Sequence, residues 1–118
     1  MPTIRQKRVA DRIRAELSEL LFRDTKDPRL SMVTITDVTI DRDLAYAEVY
    51  VNAFGAEERK DEVMFALEHA RGFLRSEIGA RIRLRRTPDL RFHWDPSLEY
   101  GENIARLLDS LTLDSEEE

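Results

Sequence analysis

The chain has 118 residues, 42% hydrophobic and 36% charged, with a net charge of −5. That is the size of one ordinary domain with a modest core. With no cysteine it excludes disulfides, thiolate metal sites and thiol catalysis; with no apolar run near the roughly 20 residues that cross a bilayer, and a charged N-terminus lacking a signal-like apolar stretch, it reads as a cytoplasmic protein that does not engage membranes.

The first predicted element is a helix. Val9, Ile13, Leu17, Leu20 and Leu21 recur at helical spacing, while Arg5, Arg8 and Arg12 lie off that stripe. Pro28 bars any helix from continuing through it. Residues 32–40 are rich in β-branched side chains and alternate, with a phase slip at Thr36-Asp37 that predicts a bulge. Asp41-Arg42-Asp43 is a short polar link. Residues 45–51 form a second strand with Ala47, Val49 and Val51 on one face, and the short link predicts an antiparallel hairpin.

A second helical region opens near Ala56, with acidic residues suited to its positive end. Val63, Ala66, Leu67, Ala70, Leu74 and Ile78 keep helical spacing, and Gly72 and Gly79 interrupt it. The two glycines predict a kink or a close backbone contact. Leu90, Phe92 and Trp94 mark a third strand between Pro88 and Pro96, and Ser97 is placed to cap a last helix carrying Ile104, Leu107, Leu108 and Leu111. The expected organisation is a single domain over 1–111 and an acidic, disordered tail over 112–118. Its core should include Val9, Ile13, Leu17, Ile35, Val49, Val51, Leu67, Leu74, Phe92 and Trp94.

Positive charge is segregated within this acidic chain. Arg5, Lys7, Arg8, Arg12 and Arg14 face only Asp11 in residues 1–14, and Arg71, Arg75, Arg81, Arg83, Arg85 and Arg86 face only Glu77 in residues 71–86. A local field of this kind steers a polyanion whatever the net charge. Arginine suits phosphate because its planar fork binds bidentately. Arg71 and Arg75 are i,i+4 neighbours on a helix, and the same spacing is expected to pair Arg81 with Arg85. The bland alternatives are a solvated helix paired to Glu68 or Glu77, and an amphipathic or partner-docking first helix.

Catalytic patterns are missing. Gly55, Gly72, Gly79 and Gly101 are too scattered for a phosphate loop or a dinucleotide fingerprint. His69 and His93 have no second ligand at i+4, which argues against zinc. No carboxylate pair stands out by spacing, so no enzyme, cofactor or small-molecule substrate is expected.

The predicted order, α-β-β-α-kink-α-β with an added C-terminal helix, resembles a type II KH-like α+β domain with a three-stranded sheet. An ordinary KH module clamps the nucleic-acid backbone with a Gly-X-X-Gly loop; here Ala70-Arg71-Gly72 stands in that place, and a role for these small residues in helix-on-sheet packing is compatible with a role in binding RNA. More specific are Lys26-Asp27-Pro28-Arg29-Leu30 before the first strand, Asp43-Leu44-Ala45-Tyr46-Ala47-Glu48-Val49-Tyr50-Val51 in the second, Ala70-Arg71-Gly72-Phe73-Leu74-Arg75, Leu84-Arg85-Arg86-Thr87-Pro88-Asp89-Leu90-Arg91-Phe92, and Asp95-Pro96-Ser97. Together, from residue 5 to about 111, they resemble the ribosome-binding factor A family.

That resemblance implies a non-enzymatic assembly factor that binds the free 30S subunit and its precursors, contacts 16S rRNA near the decoding region, supports maturation of the rRNA 5′ end, and serves cold adaptation. A monomer is expected. From local charge, the expected RNA contacts are Arg71, Arg75, Arg81, Arg85 and Arg86, with Arg5, Lys7, Arg8 and Arg12 secondary. The rival class is a protein–protein adaptor whose basic helix docks an acidic partner.

Overall fold

The computed structural model describes residues 1–53, 57–97 and 106–109. Helix α1 spans Ile4–Glu19. It begins at a capping box: the Thr3 side chain accepts the Gln6 backbone N–H at 3.1 Å, and the Gln6 side chain accepts the Thr3 N–H at 2.8 Å. Two orphan donors of the first turn are thereby satisfied. Val9, Ala10, Ile13 and Leu17 form its buried face. A π-helical turn, Leu20–Asp24, ends the segment with Leu20 and Leu21 buried, four residues before Pro28.

Strand β1 is Thr34–Ile40 and β2 is Tyr46–Asn52. They pair antiparallel, and the register shifts between Ile35 and Asp37, where Thr36 is the extra residue. The bulge expected from the phase slip is therefore present. It lets Ile35 and Val38 both face inward across an interval of three, which an unbroken strand forbids.

Helix α2 runs from Lys60 to Arg81, with Asp61 and Glu62 in its first turn. Here one expectation is corrected. The helix passes through Ala70-Arg71-Gly72 and Gly79 as one element, so the expected division into two helices is not seen. The packing explanation for Gly72 also falls, because a Cβ added there meets nothing within 4 Å. Gly79 is the glycine that packing requires: its Cβ would sit 2.7 Å from Thr87 Oγ1. The helix ends because Ile82 turns to extended geometry (φ −121°, ψ 122°) and buries its side chain. Arg85 consequently lies in a loop, and Arg81 and Arg85 are not helical neighbours.

Strand β3, Asp89–Trp94, pairs parallel to β2 in register from Tyr46↔Asp89 to Val51↔Trp94. The sheet order is β1-β2-β3. Both helices cover one face, α1 against β1 and α2 against β3. The core joins that face to the helices through Ile13, Leu17, Val49, Val51, Leu67, Leu74, Ile78 and Leu90, all fully enclosed; burying each large aliphatic side chain is worth about 1.5–3 kcal/mol. Every expected core residue is buried except Trp94, which is partly buried against the core's edge where β3 ends. The α+β class and the three-stranded sheet are as expected. Residues 106–109 are helical, with Leu107 and Leu108 exposed. Ile104, Leu111 and the acidic tail lie outside the described residues. Asp95 Oδ1 accepts the Ser97 N–H at 2.9 Å; the first turn of the helix that Ser97 is expected to cap lies outside the described residues.

Candidate nucleic-acid interface

The β1–β2 turn is built by one carboxylate. Asp41 Oδ1 accepts the backbone N–H groups of Ala45 at 2.7 Å and Tyr46 at 2.8 Å. These bonds hold its carboxyl below the ordinary value of 3.8. Leu44 adopts φ 56°, a left-handed conformation uncommon outside glycine and asparagine. The turn presents Arg42 outward.

Two other segments meet it. Gln6 Nε2 donates to the Ile40 carbonyl at 3.1 Å, which fixes the first turn of α1 against the end of β1. Asp89 N–H donates to the Ala45 carbonyl at 2.9 Å, which fixes the start of β3 and the loop before it. Arg5, Arg42, Arg85 and Arg86 then line one open cavity of about 460 Å³, with Asp43, Leu44 and Leu84. None of the four arginines has an ion pair or hydrogen bond among the described residues. Sequence segments 37 and 43 residues apart thus converge on a single electropositive recess.

A second cavity, about 290 Å³, lies between α2 and the sheet. Arg71, Gly72 and Arg75 line it from α2, and Tyr46, Asp89 and Arg91 from the sheet. Arg91 lies over the Tyr46 ring, 3.6 Å from its centroid, and pairs with Glu48 at 3.1 Å. On the same open sheet face, His93 contacts the other Glu48 oxygen at 2.6 Å and stacks on Tyr50. Arg75 is half committed. Its Nη2 donates to the Thr87 carbonyl at 2.8 Å, and its Nε sits 3.0 Å from Asp89 but without an aligned acceptor. Arg71 makes a loose exposed contact with Glu68 at 3.5 Å, of the kind that contributes little.

The remaining candidates are placed differently. Arg81 reaches Asp24 at 2.8 Å, Glu16 at 3.2 Å and Glu77 at 3.9 Å, and its side chain is only 27% exposed. The hydrogen bonds to Glu16 and Asp24 raise its pKa further. It works as a staple between α2 and the end of the first helical segment. Arg12 pairs with Glu16 at 3.3 Å. Lys7 lines a groove along the free edge of β1 with Asp11 and Asp37, and Arg8 is exposed.

Three contributors escaped the sequence reading. Arg42 was hidden by its acidic neighbours Asp41 and Asp43, which cancel its charge in any window count. Arg91 and Tyr46 were legible as outward-facing positions by alternation, but only the parallel pairing of β2 with β3 puts them beside Arg71 and Arg75.

The comparisons agree with this architecture. The family model for ribosome-binding factor A matches residues 5–108. A ribosome-binding factor A from Chromohalobacter salexigens is 47% identical over 112 residues, covering 93% of this chain and 86% of the relative. The crystal structure of ribosome-binding factor A from Thermus thermophilus superposes with a TM-score of 0.65 at 31% identity, covering 75% of this chain and 93% of that one. A Thermus thermophilus ribosome-binding factor A homology model, fitted into a cryo-EM map of a 30S complex, superposes with a TM-score of 0.61 at 31% identity, covering 74% and 91%. By sequence over nearly its whole length and by its KH-like α+β fold, the chain belongs to the ribosome-binding factor A family.

Proposed function

We propose that this protein is a non-enzymatic assembly factor that binds the immature 30S subunit through phosphates of 16S rRNA. The observation that carries the reading is the gathering of Arg5, Arg42, Arg85 and Arg86, unpaired among the described residues, at one end of the molecule. Guanidinium groups left without carboxylates are free to meet an external anion. Arg71, Arg75 and Arg91 extend the basic rim around Gly72, where the absence of a side chain and of any neighbour leaves room for a backbone to approach. A Thermus thermophilus member of the family has been fitted into a map of a 30S complex, which supports the choice of partner.

In this reading the protein is a cytoplasmic monomer with one folded unit over 1–111. Holding the rRNA in an immature arrangement supports maturation of the 16S 5′ end and matters most in the cold, when misfolded rRNA helices rearrange slowly. The contact needs no cofactor. No helix among the described residues is long and apolar enough to cross a membrane.

Binding to purified 30S subunits across a salt series tests the reading. Counterion release predicts a linear fall of log affinity with log salt, with a slope of about −0.7 to −0.9 per neutralised phosphate. A flat salt response, or a complex from cells that survives nuclease, would favour the adaptor reading instead. Pre-rRNA incubated with the protein alone should remain uncut.

A further inference from the structure

The arginine recess has a shape and a charge that a merely basic surface lacks. Four guanidinium groups and one carboxylate, Asp43, surround a volume of about 460 Å³. That is more than one phosphate group requires. The lining carries a net charge of +3. Like charges sharing one recess repel; Asp43 offsets one of the four, and none of the four is ion-paired among the described residues. The contrast is Arg81, which has three carboxylates within 4 Å.

The recess is also held open by its frame. Each arginine comes from a segment fixed by bonds that do not involve the arginine itself. The Thr3–Gln6 box and the Gln6–Ile40 bond hold Arg5; the Asp41 turn holds Arg42; the Arg75–Thr87 and Asp89–Ala45 bonds hold the end of the loop carrying Arg85 and Arg86. A site organised before its ligand arrives loses less entropy on binding.

We infer that this recess is a binding site for clustered phosphates, two or three adjacent groups together carrying about three negative charges, such as a sharply folded stretch of rRNA backbone presents. An extended strand offers phosphates one at a time; a bend or a close approach of two strands delivers several to one place. The inference takes its RNA source from the proposed function, but the preference for clustered phosphate can be measured without a ribosome.

The probe is inorganic tripolyphosphate, titrated by calorimetry into the full chain at low ionic strength. Saturable one-to-one binding is expected. The double variant Arg42→Ala, Arg86→Ala should lose about tenfold or more in affinity. Arg8→Ala, Arg14→Ala, which removes the same charge from exposed positions on α1, should change it by less than about twofold. Arg42→Lys, Arg86→Lys keeps the charge but not the fork, and should fall between wild type and the alanine double. All of these side chains are exposed and unpaired among the described residues, so thermal midpoints should match wild type and report intact folding. Equal losses in the recess and control doubles, or no loss in the recess double, would overturn the site. Displacement of the protein from 30S subunits by tripolyphosphate at constant ionic strength assigns the recess to RNA. Specific tripolyphosphate binding without displacement keeps the site and overturns that assignment. A wild-type protein that binds tripolyphosphate but no ribosomal particle defeats the proposed function and leaves the recess standing.

Discussion

Arg81 and Arg86 are five residues apart and chemically identical, yet the fold gives them opposite work. Arg81 ends α2 against Glu16, Asp24 and Glu77 and ties two helical segments together. Arg86 follows in a loop, exposed, on the rim of a recess that it shares with three other unpaired arginines. The difference teaches that arginine density in a sequence measures opportunity. Whether a guanidinium is spent inside the protein or offered to a partner depends on which carboxylates the fold brings near it.

The sharpest way to break the comparison is to remove one side of it. Arg42→Ala, Arg85→Ala, Arg86→Ala should weaken 30S binding by about 100-fold or more at low salt and shorten the salt slope by roughly two to three units. Arg81→Ala should leave 30S affinity within about twofold while lowering the thermal midpoint, read by circular dichroism. If the two variants behave alike in the binding assay, the division between paired and offered arginines is wrong.

The glycines of α2 repeat the comparison at smaller scale. Gly79→Ala forces a Cβ to within 2.7 Å of Thr87 Oγ1 and should destabilise the fold by about 1–3 kcal/mol in denaturant titrations. Thr87→Ser keeps that oxygen and should not restore stability, whereas Thr87→Ala should. Gly72→Ala meets open space, so it should stabilise the isolated protein by about 1 kcal/mol through better helix propensity. The same change should weaken 30S binding if an RNA backbone closes on that position. A variant more stable and equally tight would remove Gly72 from the interface.

The smallest expected effect concerns pH. Bonds from Tyr46 and Ala45 depress the Asp41 carboxyl below 3.8, so its contribution is fully present above that value and fades as pH falls through the folded-state pKa. Asp27, held down by Arg29, and Asp95, held down by Thr36, act in the same direction. Stability should be flat in these groups from neutral pH to about 5 and fall below about 4. Asp41→Asn should lower the neutral-pH midpoint and soften the acid loss. It should also weaken tripolyphosphate binding slightly by loosening the turn that carries Arg42.

Much of this molecule was legible before its structure. Apolar spacing located α1 and α2, alternation located the strands, and the slip at Thr36-Asp37 marked the bulge, because these are local periodicities of the backbone itself. The place of Arg71 and Arg75 on one helix was legible for the same reason. The continuity of α2 was not: glycine carries only a statistical preference against helix, and burial of Leu74 and Ile78, between the two glycines, overrode it. Nor was the partition of the arginines. Glu16 and Arg81 are 65 residues apart, and Arg5 and Arg86 are further apart still. Charge pairing acts through space over a few ångströms, and no window along the chain contains both partners. The sequence thus determined the elements and the supply of guanidinium groups; the tertiary structure alone decided which carboxylates would claim them, because only folding sets those distances.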